Sequence, residues 1–277
     1  MDMERSQGAI APPREKESGL RETLRFLLIL FLGTLLLRTL IVAPFSIPSG
    51  SMLPRMMIGD YLLVAKWPYG FSRYSMPFGI GGFEGRVLER RAERGDVVVF
   101  HYPGGGADWV KRVIGLPGDT VQVKSGQLIL NGKPVPRTRI ADFLMPVSEN
   151  SPCRFLDPER KREVADRDGA VSCAYPRYRE TLPGGKSYQV LDQMSGAADE
   201  TAAFLVPQGH YFVMGDNRDD SMDSRFPVAA KGVGLLPADH LVGRALITFF
   251  STDGSSEWVK PWTWFTAARW ERIGKTY

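Results

Sequence analysis

The 277-residue chain has few cysteines and few histidines, two of the first and three of the second. The cysteines, Cys153 and Cys173, fit no zinc-ligand spacing, which excludes a zinc module of the common kind. No block of like charge and no nucleic-acid-binding motif occurs, although 35 Lys and Arg against 31 Asp and Glu give a net charge of +4. Because the basic residues are scattered, we expect no nucleic-acid partner; proximity to anionic lipid explains the charge equally well.

One long apolar run lies near the N-terminus. Residues 26–45 contain a single charged residue, Arg38. Twenty helical residues span about 30 Å, which is the thickness of the hydrocarbon core of a bilayer. With Arg38 at the interface and its stem reaching toward the headgroups, we expect a membrane helix over 23–44 behind a polar tail over 1–22.

Flanking charges predict the orientation of this helix. Four basic residues precede it closely, and only one, Arg55, follows at a comparable distance; the four are Arg14, Lys16, Arg21 and Arg25. The positive-inside rule then places the N-terminus in the cytoplasm and the bulk of the chain outside. No small-x-small site follows the run, so we expect an uncleaved single-pass anchor rather than a signal peptide. Outside the cytoplasm the two cysteines could form a disulfide, which their spacing alone does not decide.

Beyond residue 45 the pattern is that of short strands, rich in β-branched and aromatic residues and bounded by Gly, Pro or Asn. Asn131-Gly132 and the segment 182–185 predict hairpin turns. Because helical periodicity is almost absent, we predict a mainly β fold. The predicted strands are 61–65, 96–102, 109–115, 120–123, 127–130, 186–191, 210–214 and 243–250.

A change of composition divides the β region. We expect a main β domain formed by 45–140 and 201–277, with a smaller inserted β subdomain over 141–200. The C-terminal segment EWVKPWTWFTAARW places four tryptophans among basic residues. Such a segment suits either a membrane interface or packing on the surface of the domain.

The segment PFSIPSGSMLP (44–54) follows the anchor directly and contains Ser51. A nucleophilic serine needs an exposed hydroxyl and free backbone N–H groups for a developing oxyanion, and a loop rich in Gly and Pro offers both. An ordinary loop serine is the commoner explanation for any one such residue.

The segment DWVKRVIGLPGD (108–119) contains Lys111. Strand alternation puts Trp109, Lys111 and Val113 on one face, where the ammonium would be poorly solvated. Loss of solvent lowers the pKa of a lysine and makes it a candidate general base. A lysine at a sheet edge pointing to water is the alternative.

A third segment, GDNRDDSMDSR (215–225), is dense in aspartate. It fails the calcium-loop pattern, because a loop that begins at Asp219 lacks glycine at the sixth position and glutamate at the twelfth. We therefore predict no metal site. A charged turn held by internal ion pairs is the simplest interpretation of most of its residues.

Taken together, PFSIPSGSM, GDYLLVAK, RGDVVVF, KRVIGLPGD and GDNRDDSMDSR resemble the bacterial type I signal peptidases, in order and at suitable separations. The resemblance covers roughly 38–140 and 205–250. It implies a serine endopeptidase of the inner (cytoplasmic) membrane, whose β domain is extracytoplasmic and catalytic. Its partners would be membrane lipids and exported preproteins, cut after small residues at −3 and −1, without a metal or organic cofactor.

The resemblance also assigns residues. It implies Ser51 as nucleophile and Lys111 as general base, with Ser49 assisting the oxyanion and Ser221 orienting the lysine amine. Four charged residues would support the site through ion pairs: Arg112, Asp216, Asp223 and Arg225. Six would form the substrate pockets: Phe45, Ile47, Pro48, Leu62, Val99 and Val110.

Two alternatives use the same scaffold. A non-catalytic, membrane-tethered interaction protein is disfavoured because both Ser51 and Lys111 are present. A Ser/Lys protease that cleaves itself, as in SOS repressors, would carry a DNA-binding helix-turn-helix where this chain carries an apolar span. None of the three histidines lies in a matching segment, so we expect no histidine base.

Overall fold

The computed structural model describes residues 16–76, 84–154, 162–165, 167–257 and 259–277. Helix α1 (Lys16–Leu40) contains a stretch, Gly19–Leu40, that is long and apolar enough to cross a membrane and is exposed along its length. The helix ends before the predicted limit of 44, because the chain turns at Ile41 into a strand. Of the predicted tail, residues 1–15 lie outside the described residues.

In the described residues after α1 the chain is built mainly from strands, with several single-turn 3-10 helices and one short α-helix, α2 (Thr263–Thr266). In chain order the strands are β1 (Val42–Ser46), β2 (Asp60–Ala65), β3 (Phe71–Ser72), β4 (Arg86–Val87), β5 (Val97–His101), β6 (Asp108–Gly115), β7 (Thr120–Lys124), β8 (Gln127–Leu130), β9 (Lys133–Pro134), β10 (Arg137–Pro146), β11 (Glu163–Ala165), β12 (Val171–Thr181), β13 (Ser187–Leu191), β14 (Phe204–Leu205), β15 (His210–Met214), β16 (Leu236–Pro237) and β17 (Leu241–Ser251).

The mainly β prediction is confirmed, and each of the eight predicted strands is present with its ends moved by two residues at most. The turn at Asn131-Gly132 has φ values of 52° and 73°, the left-handed conformation that this pair tolerates. Gly184 and Gly185, with φ of 96° and 86°, form the turn between β12 and β13. Local sequence therefore determines where the strands begin and end.

Seven antiparallel strands form the main sheet in the order β1-β2-β17-β5-β6-β15-β16. β6 pairs with β5 along Asp108–Arg112 but with β15 only from Arg112 onward. In the described part of the chain, one edge of the first half of β6 is therefore left without a strand partner. β1 lies at the end of the same sheet, so two strand edges are available for an added chain.

The inserted segment forms its own sheet, β10-β12-β11, with β13 paired to β12. In this sheet Arg137, at the start of β10, pairs with Glu180 of β12, and the predicted boundary of the inserted subdomain at 141 stays a prediction. A disulfide joins Cys153 to Cys173, whose Cα atoms are 5.6 Å apart. Cys173 packs in one cluster with Leu53 and other apolar side chains, so the insert supports the loop that follows Ser51.

A third sheet, β14-β7-β8-β9, and the pair β3-β4 complete the strands. In the C-terminal segment the side chains of Trp262, Trp264 and Trp270 are exposed. Trp264 and Trp270 line a surface cavity of about 410 Å³ with Tyr61 and Phe250. The segment thus packs on the domain and also exposes aromatic surface; its contact with a membrane stays a prediction.

Candidate active site around Ser51 and Lys111

Ser51 and Lys111, 60 residues apart in sequence, meet in the structure. Lys111 Nζ lies 2.8 Å from Ser51 Oγ, and both side chains are buried. Lys111 sits in the half of β6 that has one free edge, while Ser51 begins the turn that connects β1 to β2. The sheet fixes the lysine and the Pro-rich turn brings the serine to it, which gives the contact that a nucleophile and its base require.

Burial controls the protonation of Lys111. Removal from water is the largest effect and lowers the pKa of this lysine to about 8. The carboxylates of Asp223, Asp216 and Asp220 oppose this shift, and Arg225 reinforces it. The Trp109 ring lies 5.5 Å from Nζ, so the predicted apolar neighbour is confirmed. Lys111 is therefore a neutral amine in a far larger fraction of molecules near neutral pH than an exposed lysine.

Two buried ion pairs surround the lysine. Arg112 holds Asp216 through two bonds, Nε–Oδ1 of 2.7 Å and Nη2–Oδ2 of 2.6 Å. Arg225 holds Asp223 similarly, at 2.9 and 3.0 Å. Burial alone would raise the pKa of Asp223, but Arg225 together with hydrogen bonds from the Gly215 backbone and Ser221 lowers it, so the carboxylate stays ionised. Each arginine compensates a carboxylate that would otherwise favour the ammonium form of Lys111.

The loop around Ser51 is held by its backbone. Asn217 donates its backbone N–H to Ser51 O at 3.0 Å and its side-chain amide to Gly50 O at 3.1 Å. Ser49 Oγ lies 3.4 Å from Ser51 Oγ, within reach of an oxygen that forms beside the nucleophile. In the part of the chain described here, no acceptor takes the Ser51 backbone N–H. These positions are compatible with the expected oxyanion role of Ser49, which stays a prediction.

Ser221 lies in the same loop and is buried. It packs against Gly215, where an added Cβ would come within 2.3 Å of Ser221 Oγ and 2.6 Å of Ser51 O. Glycine at 215 is therefore required by close packing. Among the described residues no hydrogen bond joins Ser221 to Lys111, so the orienting role of Ser221 stays a prediction.

A cleft of about 340 Å³ opens beside Ser51 and Lys111. Five of the six predicted pocket residues line it: Phe45, Ile47, Pro48, Val99 and Val110. The sixth, Leu62, is fully buried and packs with Ile47 and Val99 in the core beneath the cleft, so it can shape the cleft only through those neighbours. The cleft also includes Asp108, Asp220 and Met222, which the sequence did not single out.

The histidines lie in other surroundings. His101 Nδ1 is 3.1 Å from Asp108 Oδ1, and His240 Nδ1 is 2.9 Å from His101 O. His210 Nδ1 contacts Gln208 O at 3.1 Å. In the described residues none of the three has a hydrogen bond to Ser51 or Lys111.

His210→Ala is therefore expected to keep cleavage within about twofold of the wild-type rate, because its ring contacts only a surface carbonyl. The measurement is kcat/KM on a preprotein with an Ala-x-Ala site, with circular dichroism as the folding control. A large loss of kcat in a folded variant would point to a histidine base.

Comparison with known proteins supplies the family. A model described as "Signal peptidase, peptidase S26" matches residues 20–250. The chain is 35% identical to a signal peptidase I of Rickettsia typhi and 34% identical to that of Rickettsia prowazekii, each over 228 residues, which are 79% of this chain and 75% of the relative. A crystal structure of a signal peptidase I from Enterococcus faecalis V583 is 25% identical, with a TM-score of 0.29, covering 56% of this chain and 97% of the other.

Proposed function

The chain belongs to the signal peptidase family, peptidase S26, and from this membership we propose that it removes signal peptides from exported preproteins with Ser51 as nucleophile and Lys111 as general base. The observation that carries the proposal is the 2.8 Å contact between Lys111 Nζ and Ser51 Oγ at the wall of a cleft. The relatives compared above are peptidases, which favours a catalytic chain over a non-catalytic tether.

The acylation half of the reaction follows from this contact. Neutral Lys111 takes the Ser51 proton while Oγ attacks the carbonyl carbon of the scissile bond. The oxygen that gains the negative charge is held by the Ser51 N–H and the Ser49 hydroxyl. The Lys111 ammonium then gives its proton to the leaving amine, the C–N bond breaks, and the signal peptide remains as an ester of Ser51.

Hydrolysis repeats the same steps with water. Lys111 is neutral again after it has protonated the leaving amine, so it accepts a proton from a water molecule that attacks the ester. The C–O bond to Ser51 breaks, and the serine oxygen recovers a proton from Lys111. Every proton is thus carried by chain residues and water.

Substrate recognition uses the free strand edges. An extended peptide can add backbone hydrogen bonds to β1 and to the first half of β6. The side chains that line the cleft there, including Phe45, Ile47 and Val99, are apolar and leave shallow space. Small residues at −3 and −1 of the preprotein fit such pockets, which would explain cleavage after Ala-x-Ala.

The chain is membrane-anchored, and the proposed topology is a single pass through the bacterial inner membrane. The basic residues that precede the apolar run of α1 favour a cytoplasmic N-terminus. The Cys153–Cys173 disulfide favours an extracytoplasmic β domain, because such bonds persist in oxidising compartments. Membrane lipids would then surround α1, whose apolar side chains are exposed.

The test of the proposed base is the pH dependence of preprotein cleavage. With the pKa of Lys111 near 8, kcat/KM should fall about tenfold per unit as the pH drops below that value, because only the neutral amine accepts the serine proton. At pH 7 roughly a tenth of the enzyme would carry a neutral Lys111. A rate that falls only below pH 6 would contradict a lysine base.

A further inference from the structure

A carboxylate of the inserted sheet is buried beside the catalytic loop 215–225. Glu180, in β12, is completely buried. It accepts two hydrogen bonds from the Arg218 guanidinium, one of them at 2.9 Å to Oε1, and a third from the Tyr188 hydroxyl at 2.6 Å. Arg218 belongs to the loop and is buried as well. An ion pair so far from water is costly to form, and removal of one partner leaves the other charge uncompensated.

From Arg218 the contacts continue to the lysine. The Arg218 backbone carbonyl accepts a hydrogen bond of 2.5 Å from Arg225 Nη2. Arg225 holds Asp223, which among the charged groups around Lys111 has the strongest effect on its protonation. The conformation of the loop at Arg218 therefore sets where Asp223 stands relative to the amine.

A second path runs through the neighbouring hairpin strand. The Arg112 guanidinium stacks 4.4 Å from the Tyr188 ring centre, and Arg112 is the residue next to Lys111 in β6. The backbone of Leu191, in β13, bonds both sides of the loop: its N–H donates to Asp216 O at 2.9 Å, and its carbonyl accepts the Arg218 N–H at 2.9 Å. The hairpin strand β13 thus contacts Arg112, a member of one ion pair, and the backbone of the loop that carries Asp216 and Arg218.

We propose that Glu180 is a positioning residue for the catalytic lysine: through Arg218 and Tyr188 it fixes the loop 215–225 against Lys111, so that the inserted sheet is part of the support of the active site. The proposal rests on the function proposed above, in which Lys111 is the base. Glu180 touches neither the cleft nor Lys111, and its effect passes through residues that do.

Glu180→Gln has a defined electrostatic consequence. The amide keeps the size of the side chain but removes the carboxylate charge that is hydrogen-bonded to the buried Arg218. The Asp216 carboxylate already attracts Arg218 as well as Arg112, so in the variant the two arginines would compete for it. Lys111 is faced by Asp216, Asp220, Asp223 and Arg225. Movement of Asp216 toward Arg218 would weaken the electrostatic stabilisation of the Lys111 ammonium form. It would also displace the Lys111 amine relative to Ser51.

The experiment compares the membrane-anchored wild type with Glu180→Gln and Glu180→Asp in cleavage of an Ala-x-Ala preprotein across pH 6–10. For Glu180→Gln we expect kcat to fall about 10- to 100-fold while KM stays within about threefold of wild type. The acid limb of the pH profile, where the rate falls as Lys111 becomes protonated, should move about half a pH unit toward lower pH. Glu180→Asp, which keeps the charge, should recover most of the limb position. Glu200→Gln, an exposed carboxylate bonded to Ser125, is the matched control and should behave as wild type.

A purely structural role would lower thermal stability and the active fraction but leave the acid limb and the kcat of the folded enzyme unchanged, and that result overturns the proposal. If Glu180→Gln does not fold, Tyr188→Phe removes one bond to Glu180 without unpairing a charge. It should give a smaller fall in kcat and a smaller shift in the same direction, and wild-type behaviour would overturn the proposal. An active Lys111→Met enzyme would instead reject the dyad itself.

Discussion

Ser51→Ala is expected to reduce preprotein cleavage by a factor on the order of 10⁴ or more, while the protein still binds its substrate. The hydroxyl oxygen of Ser51 is the atom that forms the ester. In the described residues no other hydroxyl is hydrogen-bonded to Lys111 Nζ. The fall should lie in kcat, because the cleft walls are unchanged. Quantitative cleavage of an Ala-x-Ala preprotein measures it, and competition by the uncleaved preprotein measures binding.

Ser255→Ala is the matched control for this loss, since Ser255 is exposed and its hydroxyl donates to its near neighbour Asp253. It should cleave at the wild-type rate. Ser49→Ala separates the two serines of the loop: it should cost about 10- to 1,000-fold as a lost oxyanion donor, less than Ser51→Ala. Cleavage by Ser51→Ala above about one per cent of wild type would remove Ser51 from its proposed role.

The meeting of Ser51 and Lys111 could be predicted because each lies in a short segment with a distinctive sequence. Alternation along β6 placed Trp109 beside Lys111, and the structure shows a buried lysine with a lowered pKa. The strands followed from local composition, since β-branched runs are bounded by turn residues such as Asn131-Gly132. Neither Ser51 nor Lys111 is distinctive alone; the ordered set of segments carried the assignment.

The support of the centre could not be predicted, because it depends on contacts between distant segments. Glu180 lies 38 residues from Arg218, in a region whose composition indicated only an inserted subdomain. Asn217, which bonds Gly50 and Ser51, was passed over within an aspartate-rich segment that drew attention to its charges. Leu62 was expected to line a pocket, but it is fully buried and packs with Ile47 and Val99.

The disulfide is a second feature that the sequence alone could not predict. Spacing left the pairing of Cys153 with Cys173 undecided, because two cysteines in a polar stretch can equally remain free. In the structure the two cysteines are bonded, and Cys173, near the start of β12, is fully buried with Leu53 in the same cluster. The bond ties the segment between β10 and β11 to β12, and β12 in turn packs through Cys173 against Leu53 of the loop that follows Ser51.

Lys111→Met is expected to lower kcat by about 10³- to 10⁴-fold, because methionine keeps an apolar side chain of similar length in β6 but cannot accept the serine proton. The residual rate should lose the acid limb near pH 8, which makes the pH profile a direct measure of which group titrates. Lys111→Arg should be equally inactive, since a guanidinium stays protonated throughout this range. Lys133→Met, on exposed β9, is the control for loss of a lysine and should be fully active.

The double variant of Lys111→Met with Ser51→Ala should be no slower than Ser51→Ala alone, because nucleophile and base act as one unit. Additive losses would show that the two side chains serve separate steps, and an acid limb retained in Lys111→Met would mean that another group is the base.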